Sequence, residues 1–180
     1  FVSGLLINNP GMIDELLDSL VLDQPRSLDE LRTELAELCR GANDPDPILH
    51  SFQDKELLRI GVRDLLGKAE IRTTTAALSD LAEAMLNQVF ELQEPLVREK
   101  FGVPTIESPG RSVEGCSCRY VVLGLGKLGG REISYHSDLD LLLVYEGEGP
   151  TIAPPGTTGR FEPTTNFHYF TELEIGRAHV

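Results

Sequence analysis

Two apolar, strand-forming runs lie between Tyr120 and Tyr145, and the residues between them constrain the fold more than any other part of the chain. The first, Tyr120-Val-Val-Leu-Gly-Leu125, passes into Gly124-Leu-Gly-Lys-Leu-Gly-Gly130, which holds four glycines in seven residues. The second, Leu139-Asp-Leu-Leu-Leu-Val-Tyr145, has the composition of a buried strand. A glycine turn from Gly126 to Gly130 must therefore be handed from one strand to the next. Two strands are too few for an independent sheet, so this α/β portion is expected to be incomplete.

Upstream the pattern is helical. Met12, Ile13, Leu16, Leu17 and Leu20 repeat at helical spacing after Asn8-Asn-Pro10. Ser27 is placed to cap a second helix carrying Leu28, Leu31, Leu35 and Leu38, with Gly41 as its stop. After a loop at Asn43–Pro47, residues Ile48 to about Leu66, with Leu49, Phe52, Leu57, Leu58, Gly61, Val62 and Leu65 as the apolar positions, suit a third helix that ends near Gly67. The fourth is the clearest, with Thr74 or a neighbouring Thr as its cap and Leu78, Leu81, Ala82, Met85, Leu86, Val89 and Phe90 at three- and four-residue steps. Pro95 is expected to kink or end it. The organisation read from this is α+β: a helical bundle over 1–104, a linker over 105–118, and an α/β part over 119–173. Within the last, Glu146–Pro163 reads as a loop and Asn166–Leu173 as a helix start.

Composition excludes several functions. In 180 residues, 16 Lys plus Arg against 29 Asp plus Glu leave a formal net charge of −13, with 41% hydrophobic residues. That is globular, and the average field repels nucleic acid and anionic lipid. No basic patch with interleaved aromatics offers a local exception, and no apolar run is long enough to span a bilayer. Neither nucleic acid nor membrane is an expected partner, and the chain reads as cytoplasmic. Cys39, Cys116 and Cys118 match neither a disulfide framework nor a zinc site.

The chemistry gathers between Gly124 and Asp140. Glycines after a strand let backbone amides approach phosphate oxygens, and Lys127 adds positive charge. A Walker loop is excluded in its usual form by Leu128, which stands where Ser or Thr would bind magnesium. Gly124-x-Gly126-x-x-Gly129 matches the dinucleotide fingerprint, with Glu146 near the distance of a ribose-binding acid. Against it, Arg131–Ser137 is too polar and too short for the crossover helix. A purely structural glycine turn remains a further reading. Ser137-Asp138-Leu-Asp140 raises the phosphate reading, because residues two apart at a strand mouth share a face about 7 Å apart. Two unpaired carboxylates beside a hydrophobic strand are costly, and divalent cations such as magnesium would neutralise them while holding nucleotide phosphates.

The segment Gly126–Asp140 resembles the polymerase-β-like nucleotidyltransferases. More narrowly, Gly124-Leu-Gly-Lys-Leu-Gly-Gly-Arg-Glu-Ile-Ser-Tyr-His-Ser-Asp-Leu-Asp-Leu141 is similar to the signature of the glutamine synthetase adenylyltransferase family. The likeness extends upstream through Glu56–Gly67 and Leu78–Phe90 to Phe1. It implies a helical bundle followed by a truncated nucleotidyltransferase domain, with ATP as substrate and Mg2+ as cofactor. Asp138 and Asp140 would be catalytic magnesium ligands, Gly126, Lys127, Gly129 and Gly130 would line the ATP phosphates, and Ser137 would order the metal-binding turn. The acceptor would be a tyrosine hydroxyl of glutamine synthetase, with the PII signal protein as a regulator. Family enzymes pair a deadenylylating domain with an adenylylating one, and Phe1-Val-Ser-Gly-Leu-Leu, Asn9-Pro10 and Gln24-Pro25 resemble the approach to the second. The phosphorolytic half and a non-catalytic helical interaction module are the alternatives.

Phe1 in place of Met, and the entry straight into an apolar run, lead us to expect a fragment. Glu174-Ile-Gly-Arg-Ala-His-Val180 corresponds to a common sequencing adapter translated in frame, so 174–180 is expected to be an artefact. The resemblance implies a third acid on a later strand, beyond Leu173, so little activity is expected of this piece alone. His136 reads as a polar turn residue, with a base or ligand as the alternative, and His50 and His168 as surface or helix residues; Arg59, Arg63 and Asp64 read as intra-helical ion-pairing partners, with contact to the catalytic domain as the alternative.

Overall fold

Helix α1 (Leu28–Cys39) starts where a capping box predicts. In the computed structural model, which describes residues 4, 11, 25–107, 117–153 and 161–175, Glu30 N–H donates to Ser27 Oγ at 3.3 Å and Ser27 N–H to Glu30 Oε2 at 2.7 Å. The helix buries Leu31, Leu35 and Cys39. Leu38, expected on that stripe, is 49% exposed, because Cys39 occupies the inward position. Gly41 follows in the left-handed conformation, φ +74°, as expected of a stop. The helix expected around Met12–Leu20 lies outside the described residues.

Helix α2 (Asp46–Leu65) begins two residues earlier than expected, since prolines suit the first turn, where the amide has no partner. Leu49, Phe52, Leu58 and Gly61 are buried as the spacing predicts, and Gly67 follows at φ +65°. Leu65 is exposed, while Glu56 and Arg63 are buried.

Helix α3 (Ile71–Phe101) differs most from expectation. It continues through Pro95 for 31 residues in all, so the proline does not end it. Proline removes one intrahelical bond, but Pro95 lies on the exposed side while Val97 and Phe101 beyond it are anchored in a core. Thr74 is no cap: it sits inside the helix and its Oγ1 donates to Asp64 Oδ1 at 3.3 Å.

The rest is two small antiparallel sheets and short helices, so the architecture is α+β. Strand β1 (Val103–Pro104) pairs with β4 (Thr151–Ile152), and β2 (Tyr120–Gly124) with β3 (Leu141–Tyr145). Between β2 and β3 comes the one-turn helix α4 (Gly126–Gly129), and α5 (Asn166–Ile175) closes the described chain. The chain divides into two compact units, 1–88 with 125–140 and 89–124 with 141–180.

In the first unit, α1, α2 and the start of α3 bury Leu31, Leu35, Leu49, Phe52, Leu58, Leu78 and Leu81. Arg32 bridges to Glu83 at 2.8 Å, tying α1 to α3.

In the second, Val97, Phe101, Cys118, Tyr169, Phe170 and Leu173 form the core, with Tyr120, Leu143 and Tyr145 packed on it. Tyr145 stacks on Phe170 at 4.7 Å. Burial and the neighbouring Glu94 push the Tyr120 phenol far up, and burial raises Tyr169 to about 12. Asn166 Nδ2 donates to the carbonyls of Thr105 and Gly147, each at 2.7 Å, stitching α5 to two loops. The register Val121↔Val144 and Leu123↔Leu142 puts four aliphatic side chains on the other face of the ribbon, all 42–49% exposed. The second strand is thus half-buried, not buried as expected, because the described core covers only one face.

Leu173→Ala should destabilise the second unit by about 2–5 kcal/mol, measured by urea unfolding followed by tyrosine near-UV circular dichroism. The α1 cap should also be pH-dependent. Hydrogen bonds from Ser27, backbone first, hold the Glu30 carboxyl below its usual 4.5. Its contribution is present above that value and disappears as pH falls through the lower folded value. Glu30→Gln should flatten this part of an acid titration of helicity.

Candidate active site at the glycine turn

All seven site residues expected from sequence lie between Gly126 and Asp140, within the first unit. The loop is closed at its neck by Leu125 N–H, which donates to Asp140 C=O at 2.8 Å. Leu125 is extended and Gly126 then turns left-handed, φ +52°, to start α4. The turn is closed by Gly129 N–H to Leu125 C=O and Gly130 N–H to Gly126 C=O, both at 3.0 Å. Lys127 projects from this turn, exposed.

Gly126 is required for two reasons. An L-residue there would be strained by its φ, and a Cβ would come to 2.5 Å from Asp140 Oδ2. The Asp140 carboxylate therefore lies directly against the glycine turn. Gly130 has ordinary room, its nearest neighbour to such a Cβ being 3.4 Å away.

The second half of the loop has its own turn. Ser134 N–H donates to Ser137 Oγ at 2.9 Å, and Ser137 N–H donates to Ser134 C=O at 3.1 Å. Asp138 follows immediately. Asp138 and Asp140 are both exposed, and among the described residues neither is paired with a lysine or arginine. No cluster of three or more His, Cys, Asp or Glu side chains able to hold a metal occurs among the described residues.

The loop's supports were not read from the sequence. Arg131, a non-glycine residue at φ +56°, donates to Asp80 Oδ1 at 2.7 Å and to Ala76 C=O at 3.4 Å. Tyr135 OH donates to Asp64 Oδ2 at 3.4 Å, and burial, then the Asp64 charge, raises its phenol to about 12. Ile133 is buried between them in sequence. The positive φ of Arg131 has no glycine to announce it, and Asp80 lies 51 residues away. Asp64, expected to pair within its own helix, serves Thr74 and Tyr135 instead.

The fold thus brings a glycine turn bearing a lysine together with a carboxylate pressed on its first residue and a second carboxylate two positions earlier in the chain. Residues 1–169 match the family model described as glutamate-ammonia ligase adenylyltransferase, and the chain belongs to that family. Similar relatives are each named bifunctional glutamine synthetase adenylyltransferase/adenylyl-removing enzyme. That of Thioalkalivibrio sulfidiphilus is 32% identical over 84% of this chain and 15% of its own length. That of Pasteurella multocida is 35% identical over 82% of this chain and 15% of its length, and that of Shewanella frigidimarina 31% identical over 100% and 18%. The chain thus spans less than a fifth of the length of these relatives.

Gly126→Ala should cost about 1–2 kcal/mol from the left-handed backbone alone, with a further loss from the carboxylate clash. Denaturant unfolding would measure this, and Gly130→Ala should fall well short of it.

Proposed function

We propose that this chain supplies the nucleotide-binding loop of an adenylyl transfer reaction, in which a tyrosine hydroxyl of glutamine synthetase takes the AMP group of ATP by bonding to its α-phosphorus, and pyrophosphate leaves. The observation that carries this reading is the contact between the Asp140 carboxylate and Gly126, which brings an acid and a phosphate turn into one site.

The donor set fits magnesium, which takes one or two carboxylates and completes its shell with phosphate oxygens and water. Asp138 and Asp140 would hold the ion, and both are open to solvent with no cation competing among the described residues. When bound, magnesium supplies positive charge to the phosphate oxygens. Lys127, with the amides at the start of α4, would hold the β- and γ-phosphates and favour the pyrophosphate as it departs. The Ser134–Ser137 turn fixes the backbone entering Asp138, and Arg131 with Tyr135 fixes the loop on α3 and α2, so the site is set before substrate arrives. The acceptor phenol, with an ordinary pKa near 10, would lose its proton to solvent as its oxygen bonds to the α-phosphorus and the bond from that phosphorus to the pyrophosphate oxygen breaks.

Of the two activities in the relatives' name, we assign adenylylation to this segment, on the resemblance of its opening residues, with the PII signal protein as a regulatory partner. The assay is transfer of label from α-labelled ATP to glutamine synthetase by the full-length enzyme. Asp138→Asn and Asp140→Asn should each lower the rate about 10²–10⁴-fold. Full transfer by both variants would remove the carboxylates from the mechanism. If the pair instead abolished only phosphate-dependent release of ADP from adenylylated glutamine synthetase, the segment would belong to the opposite activity.

A further inference from the structure

Far along the chain from the glycine turn, the first unit forms a small, partly open cleft of about 20 Å³. Arg26, Arg59 and Arg63 line it, with a single carboxylate, Glu56, among its walls. Glu56 is 2% exposed and already engaged: Arg26 Nη1 donates to its Oε1 at 2.9 Å, and Arg59 Nε lies 3.9 Å from its Oε2. Arg26 is further held by Glu34.

Arg63 is different. It is 6% exposed, its Nε has no hydrogen-bond partner, and no ion pair among the described residues includes it. Asp64, next in sequence, is committed to Thr74 and Tyr135. An arginine cannot shed its proton in a protein, so burial leaves a full charge seeking acceptors. Leu31 and Ile60 in the wall lower the local polarity and strengthen any charge that enters. Thr73 and Thr74, in the first turn of α3, bring the positive end of a 31-residue helix to the same cleft.

We infer that this cleft binds the oxoanion group of a small metabolite, a carboxylate or a phosphate, with Arg63 as the forked donor and the first turn of α3 as the second. Water satisfies such a guanidinium only in part, whereas an oxoanion supplies paired acceptors and the opposite charge. The cleft shares no residue with the glycine turn, so the inference stands independently of the adenylyl transfer reading.

The test is a titration of the ¹⁵N-arginine-labelled 180-residue chain with sodium phosphate and, separately, sodium acetate, each balanced by sodium chloride at constant ionic strength. The Arg63 Nε–H resonance should move saturably in at least one arm, and the arm that moves it names the chemistry. The same shift should persist in Lys127→Ala, which separates this cleft from phosphate bound at the glycine turn. By calorimetry, Arg63→Gln should weaken the affinity about tenfold or more. Arg59→Gln, which leaves Arg63 in place, should weaken it in the same direction if Arg63→Gln does not fold. No saturable movement with either anion, or unchanged affinity in the folded variants, would overturn the inference and leave a cleft holding water alone.

Discussion

Asp140 can lie against the glycine turn only because Gly126 has no side chain, and the turn keeps its shape only because Gly126 tolerates a left-handed backbone. One hydrogen bond, from Leu125 N–H to Asp140 C=O, ties the two ends of the loop and sets this approach. Ser134 and Ser137 order the residues before Asp138, and the exposed carboxylates and Lys127 then share a short loop with little freedom to separate. Loops ordinarily trade precision for access. Here the neck bond and the two internal turns recover the precision, while the acids and the lysine stay open to solvent.

The loop is also anchored from outside. Arg131 reaches Asp80 on α3 and Tyr135 reaches Asp64 on α2. These contacts give the helices a role beyond their own core, since they hold the strained residue Arg131 and the middle of the loop. The Arg131–Asp80 pair is partly exposed and adds modest energy on its own. Its value is positional, because the alternative positions of a glycine-rich loop differ by little energy. The family match covers residues 1–169 and so includes the whole of this loop.

Local rules read much of this chain correctly. The Ser27 cap, the stops at Gly41 and Gly67, the stripes of α2 and α3, and the helix starting at Asn166 all depend on interactions within a few residues. Where expectation failed, a distant contact intervened. Pro95 does not break α3, because Val97 and Phe101 are anchored beyond it and one missing hydrogen bond is outweighed. Thr74 is drawn to Asp64 and does not cap its helix, and Arg63 lacks the neighbour that helical spacing seemed to offer.

By itself the amino-acid sequence determined that the glycines and lysine of the turn share one short segment with Asp138 and Asp140, because residue type and short-range spacing are written directly in it. Only the tertiary structure decided that Asp140 rests on Gly126, that Asp80 and Asp64 hold the loop, and that Arg63 is buried with its Nε unpaired among the described residues. The physical reason is that such contacts join residues 14 to 71 positions apart. Their energies depend on burial and on the angle at which a hydrogen bond can form, and neither quantity exists until the helices and the loop have packed.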